Sequence, residues 1–346
     1  MYIREIQPPR SSPIEKGIPL QGTWTNSFES VDLLSVERPF SFPWRKWAVD
    51  KRIKEWQTFV IQNENYSIVA VLANLKHYCW AQVLLYDKEA KKTLRFRKLV
   101  PFNGWRMPTT LSNASIDSRA YGFFFRIHNW LDANTIRVDL DIEATRTRPS
   151  FTAHLKYDID RNAITPMAVS LLFNGRNSMY AYKAIAPVRA DMVLNGRHIA
   201  LQPDTTTGYF GDFKGYYPYR MRSRWCTACT VDKQGRYGFS IAENQARASF
   251  KNNENALWLN GQLTPLPPVH ITTGPGADWI IQDMEGMVDL VFTPEVPVHN
   301  TLNIVLSKAE YHTPLGYFNG MLLDTQGSRV EVHNLWGLGE NLYVRV

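Results

Sequence analysis

The sequence predicts an antiparallel all-β protein. Segments rich in β-branched and aromatic residues alternate with short clusters of turn-forming residues, the pattern of strands joined by tight turns. Aromatic residues make up 13% of the 346 residues, and long amphipathic helical patterns are few. The dipeptide Asn-Gly favours the positive φ angles of a two-residue hairpin turn. It occurs at Asn103-Gly104, Asn174-Gly175, Asn195-Gly196, Asn260-Gly261 and Asn319-Gly320. Such turns, spaced about 8–12 residues apart, indicate a sandwich or a barrel.

The elements follow in order from a lead-in, residues 1–35, that is rich in proline, serine and polar residues and is expected to drape over the fold. Segment 50–56 fits a short helix and a strand equally well. Strands are then predicted at residues 56–62, 66–73, 78–86, 121–128, 134–142 and 151–157. In segment 134–142, every second residue from Ile136 to Ile142 is apolar, which indicates one buried and one solvated face.

The composition narrows the classes of function. Lys and Arg number 39 against 32 Asp and Glu, a net charge of +7, and the basic residues are mixed with acidic ones. Such a surface does not favour nucleic acid as a partner. No apolar run is long enough for a helix that spans a bilayer, and the first residues do not have the pattern of a secretory leader. We therefore expect a cytoplasmic protein without an integral membrane segment.

One segment near the middle of the chain, residues 208–226, organises the rest. Four residues in it predict a sharply turned loop: Gly208, Gly211, Gly215 and Pro218. A single carboxylate, Asp212, lies in this loop. The alternating residues that follow predict a strand with Arg220, Arg222 and Arg224 on one face. An acid, several tyrosines and an arginine ladder in one segment mark the expected join between two halves of the molecule.

The residues also resemble a known family. The matching motifs are Lys46-Trp47, Asp212-x-x-Gly215-Tyr216-x-Pro218 with Trp225, Glu254-Asn255 with Trp258 and Gly261, Trp279-x-Ile281, and Gly316 through Gly337-x-x-Glu340. They are similar to the motifs of DUF2804, a bacterial family without an assigned reaction. That family is similar in turn to the carotenoid 1,2-hydratase and AttH-like proteins. The resemblance implies two tandem lipocalin-like (calycin) β-barrels, residues 1–195 with the lead-in and residues 196–346. Phe213 stands where the family usually has Trp.

Asp212 is the candidate catalytic residue. A carboxyl buried beside tyrosines has a raised pKa, so it can protonate an alkene or a leaving group, and its conjugate base can take the proton back. This chemistry suits hydration, isomerisation or cyclisation of an apolar substrate. In the alternative interpretation, Asp212 caps backbone N–H groups or pairs with Arg220. Glu340 occupies the parallel position in the second half, and a shared architectural role would favour that alternative.

Other side chains are candidates for a ligand site. Tyr216, Tyr217, Trp225 and Trp258 would form its apolar wall, Arg220 would bind an anionic head group, and His128 would reach a barrel mouth. Barrels of about eight strands hold one small ligand. The alternatives stay open: aromatic residues packed in a core, arginines on a solvated face, and a histidine without a chemical role.

Metal and cofactor sites are not predicted. Cys226 and Cys229 form a CxxC by spacing, but residues three apart on a strand point to opposite faces, so the pair does not chelate a metal or form a disulfide there. No histidine pair has the spacing HxxxH, and glycine-rich phosphate motifs are missing from the sequence.

Two functional hypotheses follow. In the first, the protein encloses a hydrophobic small molecule, lipid- or polyene-like, in a barrel or at the barrel junction, with acid–base chemistry through Asp212. In the second, it is a non-enzymatic binding or interaction module whose carboxylates fix loops. The sequence leaves the ligand, the reaction and the oligomeric state open.

Overall fold

The structure, a computed structural model, describes residues 2–40, 43–102, 104–273, 278–304 and 307–345. Helix in this part of the chain is limited to α1 (Lys46–Asp50) and two 3-10 turns, Leu33–Ser35 and Leu131–Ala133. The described residues include no helix with the length and apolar character needed to cross a membrane. Segment 50–56, which the sequence left open, contains the end of α1 and the start of a strand.

The first fifteen strands precede residue 216. They are β1 (Ile14–Glu15), β2 (Ile18–Pro19), β3 (Gly22–Thr25), β4 (Lys54–Gln62), β5 (Tyr66–Asn74), β6 (Tyr78–Asp87), β7 (Lys92–Pro101), β8 (Ala114–Ala120), β9 (Phe123–Trp130), β10 (Thr135–Ile142), β11 (Phe151–Asp158), β12 (Met167–Asn174), β13 (Asn177–Leu194), β14 (Arg197–Leu201) and β15 (Thr207–Gly215). Each of the six strands predicted between residues 56 and 157 is confirmed.

Eleven strands follow within the described residues. They are β16 (Arg220–Asp232), β17 (Gly235–Glu243), β18 (Ala256–Leu259), β19 (Gln262–Pro265), β20 (Val269–Thr273), β21 (Trp279–Asp283), β22 (Val288–Val296), β23 (His299–Ile304), β24 (Ser307–His312), β25 (Leu315–Leu323) and β26 (Arg329–Arg345).

The first sheet has the strand order β7-β6-β5-β4-β15-β13-β11-β10-β9-β8, with β3, β12 and β14 attached through β12 and β13. Contacts between strands that are far apart in this order show that the sheet is curled. Phe96 on β7 stacks on Phe151 on β11 with ring centroids 5.3 Å apart. Lys98 Nζ on β7 also donates to the Tyr121 carbonyl at the β8–β9 turn, at 3.1 Å. The two edge strands therefore approach each other around a common interior.

The second sheet has the order β19-β18-β17-β16-β26-β25-β22-β21-β20, and the hairpin β23–β24 adds to β26. This sheet is also curled, so that its edge strand β20 approaches β17. Glu243, at the end of β17, accepts a hydrogen bond from the Ile271 backbone N–H on β20 at 3.2 Å. The fold is all-β, with two curled antiparallel sheets arranged as tandem lipocalin-like barrels, which confirms the predicted class.

The Asn-Gly turns are confirmed in part. Asn195-Gly196 and Asn260-Gly261 are two-residue hairpin turns with φ of 48° and 82°, and of 50° and 82°. In the third hairpin the turn lies one residue later, because Asn174 pairs with Asn177. The turn predicted at Asn319-Gly320 is wrong: both residues lie inside β25, and the register shifts between Phe318 and Gly320. Asn103 lies outside the described residues.

The glycine-rich segment is a strand rather than the predicted loop. Every residue of β15 is buried, and the strand pairs with both β13 and β4. A Cβ atom on Gly208 would overlap the side chains of Val188 and Tyr157. The glycine is therefore needed for close packing within the sheet, and the chain turns only after Gly215.

The pairing bears on domain organisation. Strands β14 and β15, which span residues 197–215, pair within the first sheet. The division into residues 1–195 and 196–346 stays a proposal, and this pairing favours a boundary within residues 216–219.

Three apolar clusters hold the fold together. One fills the first barrel and includes Phe59, Phe125 and Phe210, and another fills the second barrel around Phe292 and Phe318. The third lies between the two sheets and includes Tyr209, Trp258, Trp336 and Leu338. Because side chains alternate along a strand, each of the facing strands contributes to a barrel interior and to this middle layer.

Candidate functional site

A cavity of about 120 Å³ lies in the layer between the two sheets. Strands β4, β5, β6, β13 and β15 supply one wall, and β16, β17, β24 and β26 supply the other. The lining is mainly apolar and aromatic, with Trp56, Val71, Trp80, Phe213, Trp225 and Leu338 among its residues. The rings of Trp56 and Phe213 stack with their centroids 5.1 Å apart. A partly open apolar space of this kind suits a hydrophobic small molecule.

Glu340 brings a carboxyl into this cavity. It lies on β26 between Leu338 and Leu342, which face the same way, and it is directly opposite Trp225 on β16. Desolvation by burial raises the pKa of the Glu340 carboxyl to about 7. Within the described residues, no hydrogen bond or ion pair holds that carboxyl. Glu340 is therefore an acid whose pKa lies near neutral pH and whose carboxyl borders an apolar space.

Two tyrosines accompany Glu340 in the lining. Burial raises the pKa of Tyr311, and the nearby Glu340 charge adds to that effect. The Tyr217 hydroxyl is buried and has no hydrogen-bond partner in the described part of the chain. Burial keeps the pKa of Tyr217 well above its usual value, so its hydroxyl is neutral and can donate to a bound molecule.

A buried ion pair borders the same cavity. Lys183 Nζ lies 2.7 Å from Glu254 Oε2 and donates to Ser240 Oγ at 3.0 Å. The Trp225 indole N–H donates to the same Ser240 Oγ at 2.9 Å. This network fixes the ring of Trp225. It also leaves Glu254 fully engaged, because its other oxygen accepts from Asn244 Nδ2 at 2.6 Å.

Asp212 lies on the other side of the first sheet. Its neighbour Phe213 lines the cavity, whereas Asp212 is completely buried in the interior of the first barrel. Gln57 Nε2 donates to Asp212 Oδ1 at 2.9 Å, and Oδ2 has no hydrogen-bond partner among the described residues, with Lys214 Nζ 4.0 Å away. Burial raises the pKa of Asp212, and Lys214 and Gln57 oppose that shift.

The structure brings two of the predicted ligand-site residues, Tyr217 and Trp225, into the cavity beside Glu340. Tyr216 instead packs in the first barrel, where its hydroxyl donates to the Leu33 carbonyl at 2.8 Å. Trp258 is buried between the sheets without lining the cavity, and its indole N–H donates to the Thr165 carbonyl at 3.0 Å.

The remaining two candidates lie away from the cavity. Arg220 is exposed at the start of β16, on the strand face opposite Met221. His128 is on the solvated face of β9, where its Nδ1 is 2.7 Å from Ser115 Oγ and its ring stacks on Trp130. The predicted alternation of arginines and apolar residues along β16 is confirmed.

The cysteines are arranged as the strand periodicity predicts. Cys226 packs in the second barrel and Cys229 packs between the sheets, so they lie on opposite faces of β16, and both are free thiols. Across the described ranges, no group of three or more His, Cys, Asp or Glu side chains is placed to hold a metal ion.

Sequence reasoning named Glu340 only as the counterpart of Asp212 and did not select Trp56 or Trp80. One signal for Glu340 was available: it is an acid in the stripe Leu338, Glu340, Leu342, where strand alternation places apolar side chains on a buried face. Which barrel faces meet is a long-range property that no local pattern in this chain encodes.

Fold and cavity together define a class: antiparallel proteins of two β-barrels that enclose an apolar site between them. The chain belongs to the family described as "Domain of unknown function (DUF2804)", whose model matches residues 14–345. A comparison with curated proteins gives no match.

Matches among solved structures include two at low sequence identity. Kievitone hydratase from Nectria haematococca matches with 12% identity over 84% of this chain and 88% of its own, at a TM-score of 0.49. OccK5 (OpdH) from Pseudomonas aeruginosa matches with 10% identity over 84% of this chain and 96% of its own, at a TM-score of 0.11.

Proposed function

We propose that this protein binds an apolar small molecule, lipid- or polyene-like, in the cavity between its two sheets, and that Glu340 acts on it as a general acid and base. The observation that supports this most is the Glu340 carboxyl itself. The carboxyl projects into an apolar, aromatic-lined cavity. No side chain or backbone group in the described part of the chain forms a hydrogen bond or an ion pair with it.

The chemistry follows from the protonation state of Glu340. With a pKa of about 7, both the acid and its carboxylate are populated at neutral pH, which is the condition for efficient proton transfer in both directions. The acid gives its proton to one carbon of an alkene. The carboxylate then takes a proton from an attacking water, which completes hydration, or from an adjacent carbon, which completes isomerisation. In cyclisation, a second double bond of the substrate first attacks the cation and forms the ring C–C bond, and the carboxylate then takes a proton from a carbon next to the new cation.

The walls of the cavity suit the cationic intermediate of such a reaction. Trp56, Trp80 and Trp225 line the space, and aromatic rings attract a positive charge that has been removed from water. An apolar lining also excludes bulk water from the neighbourhood of the cation.

Asp212 gives a second candidate acid. Its Oδ2 lacks a hydrogen-bond partner among the described residues and its pKa is raised, so it too can deliver a proton. A substrate for Asp212 would have to lie inside the first barrel. A binding module without any reaction is the third possibility, and it requires an occupied cavity with no turnover.

Deuterium incorporation separates these candidates without knowledge of the substrate. The protein is incubated in D₂O with a panel of apolar alkenes and polyenes, and mass spectrometry measures carbon-bound deuterium. We expect incorporation by the wild type and by Asp212→Asn, and its loss in Glu340→Gln. Glu331→Gln, the same change at an exposed position of β26, is the matched control.

The other outcomes are equally informative. Loss of incorporation in Asp212→Asn alone would assign the chemistry to the first barrel. Alkenes that bind, as measured by tryptophan fluorescence, but take up no deuterium would contradict the catalytic proposal and support the binding module.

A further inference from the structure

A second arm of the cavity leads to a lysine. A crevice of about 50 Å³ is lined by Lys54, His77 and Tyr78. It shares six lining residues with the main cavity: Trp56, Leu75, Tyr217, Met221, Tyr311 and Leu342. The apolar space between the sheets therefore extends to the Lys54 side chain.

The Lys54 amine is buried without a carboxylate partner. The residue is only 6% exposed, and its Nζ donates to the Lys51 carbonyl at 3.0 Å and to the Leu75 carbonyl at 2.9 Å. Asp50 and Glu55, the nearby acids, both pair with Lys76, at 3.0 and 2.9 Å. Two carbonyls match the two N–H groups of a neutral amine, and the lone pair takes the remaining tetrahedral position.

The surrounding charges favour the same neutral form. Burial is the main cause that lowers the pKa of Lys54 to about 7, and the cations Arg52, Lys76 and Lys51 add to it while Asp50 opposes it. The other titratable side chains that line the crevice are His77, Tyr78, Tyr217 and Tyr311. A lysine that is desolvated and next to other cations is the recognised form of an amine nucleophile.

Other buried lysines lack one of these features. Lys183 is paired with Glu254. Lys88 is half-buried, its Nζ donates to the Asn63 carbonyl at 2.6 Å, and it does not line the cavity or its side crevice. Lys76 pairs with Asp50 and Glu55. Lys214 donates to the Pro108 carbonyl near Asp212 and does not line the cavity or its side crevice. Among the buried lysines of the described chain, Lys54 alone combines an amine without a carboxylate partner with an apolar space that adjoins it.

We propose that Lys54 forms a reversible imine with an apolar aldehyde held between the two sheets. The amine nitrogen attacks the aldehyde carbon, a C–N bond forms, the C=O electron pair moves to oxygen, and one proton passes from the nitrogen to that oxygen. The hydroxyl of the resulting carbinolamine takes up one proton from solvent and leaves as water while the nitrogen lone pair forms the C=N bond, so nothing is oxidised or reduced. The protonated imine keeps one N–H for one of the two carbonyls.

This inference shares the ligand cavity with the proposed function but does not depend on acid chemistry at Glu340. An aldehyde adduct requires only the amine and the apolar space. Failure of deuterium incorporation would therefore leave the imine proposal standing, and failure of the adduct would leave the Glu340 proposal standing.

Reductive trapping tests the proposal. The full chain is treated with decanal and cyanoborohydride at pH 8, and peptide mapping by mass spectrometry compares alkylation at Lys54 and at Lys88 in the same sample. We expect Lys54 to be labelled at least about tenfold more than the exposed lysines, because far more of its amine is unprotonated at that pH. We also expect little labelling of Lys54 by glyoxylate, a small charged aldehyde. Lys54→Met, which is neutral and of similar length, should lose the adduct.

Several results would overturn it. Equal labelling of Lys54, Lys88 and exposed lysines would show that Lys54 has no special reactivity. Equal labelling of Lys54 by decanal and glyoxylate would remove the apolar selectivity. Tight binding of decanoate without any decanal adduct would identify an anion site instead. The comparison within the wild type decides the matter even if Lys54→Met does not fold.

Discussion

Trp225 and Glu340 lie directly opposite each other on β16 and β26, and both line the cavity between the two sheets. Directly opposed residues of an antiparallel pair point to the same face. The Trp225 ring is fixed by its hydrogen bond to Ser240, whereas the Glu340 carboxyl has no such partner in the part of the chain that the structure describes. A fixed aromatic wall beside an unengaged acid leaves the acid available to a bound molecule.

Filling the cavity should block binding. Val71 lines the cavity from β5, so Val71→Phe places a ring where a ligand would lie. We expect affinity for a conjugated polyene fatty acid, measured by energy transfer from tryptophan, to fall by about tenfold, the equivalent of about 1.4 kcal/mol. Val291→Phe makes the same change on an exposed face and should bind normally. Equal affinity of both variants would mean that the ligand binds elsewhere.

The buried ion pair beside the cavity should be costly to break on one side. Lys183→Met leaves Glu254 buried without its cation, and we expect the free energy of unfolding in urea to fall by about 3–5 kcal/mol. Lys183→Met with Glu254→Gln should recover a large part of that loss, because the uncompensated charge is removed. Arg329→Met, which breaks the exposed pair with Glu331, should cost under about 1 kcal/mol. Identical losses in the single and double variants would argue against a buried charge.

The packing of β15 gives a test of the glycine-rich segment. Gly208→Ala adds a methyl group against Val188 and Tyr157, and we expect a loss of about 1–3 kcal/mol in urea denaturation from overpacking. A change within about 0.5 kcal/mol, the usual effect of a surface substitution, would instead favour the loop that the sequence alone predicted.

Asp212 should affect the stability of the first barrel rather than ligand binding. Asp212→Ala removes the acceptor used by Gln57, and we expect a loss of about 1–3 kcal/mol. Asp212→Asn keeps that acceptor. Burial raises the pKa of Asp212, so its ionisation lowers the stability of the folded wild type as the pH rises. The free energy of unfolding of Asp212→Asn should therefore increase relative to that of the wild type with increasing pH. Loss of ligand affinity in a stably folded Asp212→Asn would place the ligand inside the first barrel.

The fold was largely predictable because its signals are local. Strand alternation, as in 134–142, and turns such as Asn195-Gly196 each depend on residues within one hairpin. The glycine-rich segment was misjudged because Gly208 serves close packing against Tyr157, a contact across 51 positions that the turn rule does not consider.

The site was less predictable, because strand parity says that neighbours face opposite ways but not which face is a barrel interior. Asp212 and Phe213 are adjacent in the chain, yet one lies in the first barrel and the other in the cavity. Family resemblance directed attention to Asp212, and the role of Glu340 required knowing which two sheet faces meet.

The raised pKa of Glu340 also has a consequence for stability. Its folded-state pKa is about 7 against an ordinary value of 4.5. The folded state therefore holds this proton more tightly than the unfolded state does, and stability is lost as the pH rises from about 4.5 to about 7. In Glu340→Gln this component of the pH dependence should be missing, and in Glu89→Gln, an exposed change, it should remain.

Infrared titration of the Glu340 carboxyl is the most direct test of the proposed acid. The spectrum of the wild type minus that of Glu340→Gln isolates the C=O stretch of one protonated carboxyl. We expect this band to disappear with a midpoint near pH 7 and to shift when an apolar alkene is bound. A midpoint near 4.5, the ordinary value for Glu, would show a solvated carboxylate and would contradict an acid poised inside the cavity.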